Sequence, residues 1–187
     1  MKKKNTIVLE GLPASGKTTL ANYLRDHFGV FKVNESTGIA SKNSGNQTKI
    51  FEETIDKYIE ARNCSQLSII DRGYPSILAW DYCREKEGGE HNYYKKKYWI
   101  REAIKKGYLF EPQLYIYLYA DCNLSFIRRP RQETKIDVWS SKIGVANCKL
   151  FYEKFFSNKE IKKNTLFVNA EDKTKKIADI LMNSIQK

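Results

Sequence analysis

The sequence contains few of the residues that define the specialised classes of protein. Its 187 residues include 4 cysteines, scattered without the paired spacing of a metal site, so we expect reduced thiols and a cytoplasmic protein. With 10 glycines and 4 prolines, the chain is neither collagen-like nor of low complexity. No apolar run approaches the ~20 residues of a membrane span, and Glu10 interrupts the first apolar stretch too early for a signal peptide.

The composition does provide a core and a large excess of positive charge. Hydrophobic residues make up 41% of the chain, which excludes global disorder, and the length predicts one domain over residues 1–187. The 33 lysines and arginines exceed the 22 acidic residues by 11. That excess is compatible with a nucleic-acid partner, an anionic small substrate or a solvated lysine-rich surface, and net charge alone does not choose among them.

Short apolar runs alternate with helical periodicities along the chain. Strands are predicted at 6–10, 30–33, 67–71, 114–120 and 166–169. Helices are predicted at 18–28, 48–62, 75–87, 92–106, 123–129, 145–156 and 174–185, with a polar loop at 37–47. This alternation predicts an α/β fold with a five-stranded parallel sheet covered by helices on both faces.

A phosphate-binding loop follows the first predicted strand. Residues Gly11 to Thr18 match the pattern G-x-x-x-x-G-K-[ST] at every fixed position, and a helix is predicted immediately after them. Glycines let backbone N–H groups surround phosphate oxygens, and the helix adds its positive N-terminal end. Lys17 is the candidate ligand of the β- and γ-phosphates, and the Thr18 hydroxyl is a candidate Mg²⁺ ligand. The nucleotide-binding candidates are Gly11, Pro13, Ala14, Ser15, Gly16, Lys17, Thr18 and Thr19.

An acidic residue and an arginine end the third predicted strand. Residues beyond the carboxyl ends of parallel strands share one crevice, so Asp71 and Arg72 should face the phosphate-binding loop. Asp71 is the second candidate Mg²⁺ ligand, and it could hold the ion directly or through a water molecule. Arg72 is a candidate for bridging the transferring phosphoryl group.

With its phosphate-binding loop and its order of elements, the chain resembles the P-loop kinases of the thymidylate kinase and deoxynucleoside kinase group. Asp71-Arg72 followed by Ser76, Ala79 and Trp80 is similar to the thymidylate kinase signature. The resemblance implies a P-loop NTPase three-layer sandwich that uses ATP and Mg²⁺. It also implies transfer of the γ-phosphoryl group to a nucleoside or a nucleoside monophosphate.

Glu35 bears on the choice between a hydroxyl and a phosphate acceptor. Transfer to a hydroxyl benefits from a carboxylate that takes the acceptor's proton, whereas a phosphate acceptor needs cations to hold it. Thymidylate kinases carry Arg-Glu-Pro-Gly at this point, and here Asn34 stands in place of the arginine. Glu35 matches the glutamate that deoxynucleoside kinases carry as a base. We therefore favour a nucleoside or another hydroxyl acceptor, with Glu35 as the candidate catalytic base.

An arginine cluster after the fourth strand resembles the lid of these kinases, over about 123–142. Arginines closing over ATP would neutralise charge on the transferred group and exclude water. Among Arg128, Arg129 and Arg131, we favour Arg128 and Arg131 as catalytic residues, with Arg128 also able to stack on adenine. Asn169 and Ala170, after the last strand, are weaker candidates for adenine contacts.

Two other functions stay open at this point. The acceptor could be another small hydroxyl compound such as an antibiotic, because P-loop kinases vary their acceptor pockets on one scaffold. A basic nucleic-acid-binding or regulatory NTP-binding protein is the alternative from another class. The tyrosines and lysines of 93–101 suit single strands, but their helical spacing favours core aromatics with snorkelling lysines. We expect a small-molecule partner and no membrane, and a homodimer is left open.

Overall fold

In a computed structural model that describes residues 5–33, 47–90, 92–128 and 138–185, parallel strands alternate with helices along the chain. The strands are β1 (Thr6–Gly11), β2 (Phe31–Lys32), β3 (Ser68–Asp71), β4 (Leu114–Tyr119) and β5 (Thr165–Asn169). The helices are α1 (Lys17–Phe28), α2 (Gln47–Asn63), α3 (Tyr74–Lys86), α4 (Tyr93–Lys105), α5 (Cys122–Arg128), α6 (Lys142–Phe156), α7 (Lys159–Lys162) and α8 (Thr174–Ile185). A 3₁₀ turn at Val138–Ser140 precedes α6.

The strands form one sheet in the order β2-β3-β1-β4-β5, with every pairing parallel. Ile7 of β1 lies beside Ile69 of β3 on one side and Leu114 of β4 on the other. The predicted α/β fold with a five-stranded parallel sheet is confirmed. Because β1 is the central strand, the loop that follows it emerges in the middle of the sheet's carboxyl edge.

Alternate residues of the strands build two cores on the two faces of the sheet, as the period of two requires. On one face, Ile7 and Leu9 of β1 pack with Leu20 and Leu24 of α1 and with Leu181 of α8. On the other, Val8, Ile70, Tyr115 and Tyr117 pack against buried side chains of α2, α3 and α6, chiefly Tyr58, Leu78, Tyr152 and Phe156. Helices therefore cover both faces of the sheet.

Local sequence explains where several helices begin and end. Gly29 terminates α1 with φ 63°, a left-handed conformation that glycine adopts without strain. Pro75 lies in the first turn of α3, where its missing N–H has no partner to lose. Helix α6 begins at Lys142, three residues before the predicted start, because the Ser141 side chain accepts a hydrogen bond from Gly144 N and caps it.

The side chains that helix α4 exposes and buries differ from those predicted from the sequence. Tyr94 is 75% and Tyr98 60% exposed, so these aromatic rings are not core residues. Lys96, expected to snorkel, is instead buried in an ion pair with Asp81, with Nζ and Oδ2 2.5 Å apart. Tyr93 and Trp99 do pack against the core. The prediction was therefore wrong for Tyr94, Tyr98 and Lys96, because helical spacing does not tell which stripe of a mixed helix meets its neighbour.

Across the described parts of the chain, none of the helices combines the length and the apolar character needed to cross a bilayer. Of the predicted polar loop at 37–47, only Gln47 falls within the described residues, as the first residue of α2.

Candidate active site

The loop between β1 and α1 curls back on itself at two glycines. Gly11 has φ 144°, and a Cβ there would lie 2.3 Å from the carbonyl oxygen of Leu118 on the neighbouring strand. Gly16 has φ 87° and is the N-cap of α1. Between them Ala14, with φ 55°, also has a left-handed backbone. The fixed glycines of the motif therefore occupy the positions where a side chain would clash or strain the backbone.

The Lys17 side chain lies folded against this loop and only 4% exposed. Its Nζ donates to the carbonyl oxygens of Gly11 at 3.1 Å and Leu12 at 2.5 Å, and to Ser15 Oγ at 2.9 Å. Burial, reinforced by the nearby positive charge of Arg72, lowers the pKa of Lys17 to about 7. All three acceptors are neutral oxygens. A bound phosphate would offer Lys17 Nζ negatively charged acceptors in their place.

Thr18 and Asp71, the two candidate Mg²⁺ ligands, lie in contact. Thr18 Oγ1 donates a hydrogen bond to Asp71 Oδ2 at 2.5 Å, and Asp71 Oδ1 is buried without a hydrogen-bond partner. A hydroxyl and a carboxylate oxygen are ligands that Mg²⁺ accepts, with water and phosphate oxygens completing its shell. The residues present therefore fit a magnesium ion. The described residues contain no cluster of three or more His, Cys, Asp or Glu side chains arranged for a metal held by protein alone.

Arg72 occupies the turn from β3 to α3 in a strained backbone conformation, with φ 66°. Its N–H donates to Leu9 O at 3.1 Å, which ties the turn to the central strand. Its guanidinium Nη1 lies 3.5 Å from Ser76 Oγ, and its charge interacts with the carboxylates of Glu10 and Asp71. A left-handed non-glycine residue costs ~1–3 kcal/mol and is typical of functional sites.

Glu10 is a site residue that the sequence analysis did not identify. It is fully buried at the end of β1, and its Oε1 accepts from Gly73 N at 2.8 Å. Its Oε2 accepts from Ser76 Oγ at 2.6 Å and from Tyr152 OH at 2.8 Å. Burial raises the pKa of Glu10, and the hydrogen bonds and Arg72 oppose that shift. An acidic residue inside a strand predicted to be buried was the available signal, because such a group needs partners.

Helix α5 meets both the phosphate-binding loop and the loop after β5. The buried Ser125 hydroxyl donates to the carbonyl oxygen of Pro13, a contact that the sequence analysis missed. Arg128 is exposed, and its Nη1 lies 3.4 Å from the Ala170 carbonyl oxygen. Asn169 ends β5, and its Oδ1 accepts from Glu171 N at 3.0 Å. Arg128 and the Asn169–Ala170 segment thus lie together, as a shared role at adenine would require.

The remaining candidates are loop residues, some exposed and some buried, and residues that the structure does not describe. Ala14, Gly16, Thr18 and Thr19 are exposed at the carboxyl edge of the sheet, whereas Pro13 and Ser15 are buried. The candidate base Glu35 and the lid residues Arg129 and Arg131 lie outside the described residues.

A separate cavity of about 490 Å³ lies between α6 and the carboxyl ends of β4 and β5. Aromatic rings including Tyr117, Phe156 and Phe167 line it, and so do Asn169 and Glu171. None of Gly11–Thr18 is among the described residues that line it, so it is distinct from the phosphate-binding loop.

Solved structures resemble the chain, although no protein-family profile and no curated protein sequence matches it. Deoxyadenosine kinase from M. mycoides, with products dCMP and a flexible dCDP bound, has a TM-score of 0.70 at 16% identity, covering 97% of this chain and 98% of that one. The same kinase with bound dATP has a TM-score of 0.70 at 15% identity, covering 97% and 100%. YorR from Bacillus subtilis, in complex with phosphorylated GDP, has a TM-score of 0.62 at 19% identity, covering 97% and 95%.

These likenesses extend over nearly the whole of each chain and establish the fold. The chain has the α/β fold of P-loop kinases of the deoxynucleoside kinase type, and the predicted resemblance is confirmed at the level of the fold.

Proposed function

We propose that the chain is an ATP- and Mg²⁺-dependent phosphotransferase that moves a γ-phosphoryl group to a nucleoside or a nucleoside monophosphate. The proposal treats residues 1–187 as one kinase domain with a lid over about 123–142. The observation that carries it is the contact between Thr18 and Asp71, 2.5 Å apart although 53 residues separate them in the chain. It joins the phosphate-binding loop to the β3 edge, where Arg72 follows.

The binding roles follow from the chemistry of these side chains. Backbone N–H groups of Gly11–Thr18 hold the phosphates, and the Lys17 ammonium binds the β- and γ-phosphates after leaving its three loop oxygens. Thr18 and Asp71 would hold Mg²⁺, which supplies charge neutralisation between the β- and γ-phosphates when bound.

The transfer roles belong to arginines and to the candidate base. Arg72 stabilises the transferring group, and Arg128 and Arg131 close over ATP from the lid. Glu35 takes the proton of an acceptor hydroxyl. Support for a nucleoside acceptor comes from Glu35 and Asn34 in the sequence and from the nucleotides bound to the structural neighbours.

The experiment that tests the proposal is transfer of label from γ-labelled ATP to a panel of nucleosides, nucleoside monophosphates and aminoglycoside-like alcohols. The expected result is acceptor-dependent product, greatest with a nucleoside. Product from monophosphates alone would contradict the base role of Glu35, and product from the alcohols alone would assign a different acceptor class.

A second candidate function is binding of single-stranded nucleic acid, which the exposed Tyr94 and Tyr98 on α4 favour. Lys95, Lys97 and Arg101 are exposed beside them, so stacking and phosphate contacts are available together. For such binding, the logarithm of the association constant would fall linearly with the logarithm of the salt concentration. In the phosphotransferase proposal the chain instead turns over ATP with an acceptor and shows no oligonucleotide affinity of this kind.

A further inference from the structure

Glu10 sits where three separate parts of the fold meet. Its carboxylate is fully buried between the end of β1, the first turn of α3 and the C-terminal part of α6. It accepts three hydrogen bonds, from Gly73 N, Ser76 Oγ and Tyr152 OH. Three donors directed at two oxygens suit an ionised carboxylate, since a protonated acid would have to use one oxygen as a donor.

Two of these contacts lead directly to Arg72. Gly73 is the next residue in the chain, so the bond from its N–H to Glu10 fixes the far side of the strained turn at Arg72. Ser76 donates to Glu10 and lies 3.5 Å from Arg72 Nη1, so it forms a bridge between the carboxylate and the guanidinium. The charges of Glu10 and Arg72 also attract each other directly.

We propose that Glu10 is the positioning residue of Arg72, holding the guanidinium in the orientation that phosphoryl transfer needs through Gly73, Ser76 and its own charge. The inference rests on the proposed function. Tyr152 ties the same carboxylate to α6. Glu10 therefore connects the turn that carries Arg72 with α6.

A purely structural role fits the burial of Glu10 less well. Because burial raises its pKa, keeping the carboxylate ionised works against folding at neutral pH. Glutamine has nearly the same shape, and its amide N–H groups can donate to the Ser76 and Tyr152 hydroxyls once these turn to act as acceptors. Glu10→Gln is therefore expected to fold with a melting temperature close to that of the wild type while removing the charge that faces Arg72.

The test is a double-mutant cycle on kcat with Glu10→Gln and Arg72→Lys, using the acceptor found in the panel. A positioning role predicts that Glu10→Gln lowers kcat by ~10²-fold in the wild type, as displacement of a catalytic group does, with a much smaller change in KM for ATP. In the Arg72→Lys background the same substitution should lower kcat by less than ~3-fold, because coupled residues are not additive. An equal loss in both backgrounds, or no loss in either, would overturn the proposal.

Glu111→Gln is the control for loss of a glutamate carboxylate, at an exposed position rather than a buried one. Glu111 also accepts hydrogen bonds from two tyrosine hydroxyls, those of Tyr74 and Tyr115, but it precedes β4 at the opposite edge of the sheet. Its substitution should leave kcat unchanged.

If Glu10→Gln does not fold, Ser76→Ala takes its place in the cycle, since it removes the bridge and leaves Glu10 bonded to Gly73 and Tyr152. A wild-type chain that phosphorylates none of the acceptors refutes the proposed function itself, which differs from the additive cycle that refutes the role of Glu10.

Discussion

Lys17, Glu10 and Arg72 are charged side chains that the fold holds within one small region, two of them almost wholly out of water. Lys17 is 4% exposed and Glu10 0%, and each electrostatically influences Arg72. Burying charge without a full set of ionic partners opposes folding. The arrangement is therefore better explained by what it can bind than by the stability it provides.

Lys17 should make the stability of the ligand-free, metal-free protein depend on pH in a definite direction. Its folded pKa is about 7 against an ordinary value of 10.5, so between these pH values the unfolded chain holds a proton that the folded chain has lost. Stability contributed by this residue therefore rises with pH, by up to ~1.4 kcal/mol per pH unit. Denaturation of wild type and Lys17→Met from pH 6 to pH 9 measures it.

The free energy of unfolding of the wild type should rise relative to that of Lys17→Met above about pH 7. A difference between the two proteins that does not change with pH would show that the buried ammonium keeps its ordinary pKa.

At the scale of single residues, sequence reasoning predicted what a motif specifies and missed what tertiary contacts create. Lys17, Thr18, Asp71 and Arg72 were found because each lies at a strand end or in a loop of known pattern. Glu10 and Ser125 were missed because their partners are 142 residues away at Tyr152 and 112 residues away at Pro13. No local periodicity records such a pairing.

Among the elements, the junction of β3 and α3 is tightly packed around Gly73. Gly73 lies there with φ −94°, a conformation open to any residue, yet a Cβ would approach Tyr58 Oη at 2.6 Å and Val8 Cγ1 at 2.9 Å. Space rather than backbone geometry requires glycine at this position.

Gly73→Ala should therefore destabilise the fold by overpacking, by ~1–3 kcal/mol in the free energy of unfolding measured with denaturant. Adding Tyr58→Phe removes the atom at 2.6 Å and should recover part of that loss, while the contact with Val8 remains. A Gly73→Ala protein as stable as the wild type would show that α3 moves away without cost.

The contact of α5 with the phosphate-binding loop gives a second prediction at this scale. Ser125→Ala removes the hydrogen bond to Pro13 O and should destabilise the fold by ~0.5–1.5 kcal/mol. Because α5 also carries Arg128, looser docking should raise KM for ATP by ~3–10-fold in a steady-state assay. Ser184→Ala is the control, since the Ser184 hydroxyl donates within α8, to Leu181 O at 2.7 Å, and its loss should leave KM unchanged. An equal KM for both variants would contradict a link between α5 and nucleotide binding.

Whether a segment is a strand or a helix could be predicted along most of the chain, because apolar runs and amphipathic helical periods are features of short stretches of sequence. The short helix α7 was not predicted, since its four residues are too few to show a period and it depends on the Asn158 cap. The strand order could not be predicted, because it depends on which crossover connections pack against the sheet. The buried face of α4 could not be predicted either, because it is set by the ion pair of Lys96 with Asp81.

At the scale of the whole molecule, the net charge of +11 divides between distinct environments. Lys17 and Arg72 lie in the candidate site and Lys96 is neutralised inside the fold, whereas α4 presents Lys95, Lys97 and Arg101 to solvent. The excess charge therefore does not by itself indicate nucleic acid. The proposal of a nucleotide partner rests instead on the fold and on the meeting of the phosphate-binding loop with the β3 edge.

Phosphotransfer is tested by the rate at which the wild-type chain moves label from γ-labelled ATP to a nucleoside in the presence of Mg²⁺, measured beside the same rate for Lys17→Met. We predict labelled nucleoside monophosphate from the wild type, dependent on added acceptor, and a rate at least ~10²-fold lower for Lys17→Met, because a charge that stabilises the transition state is lost. ATP consumption that is independent of every acceptor, or equal rates for the two proteins, would contradict the account.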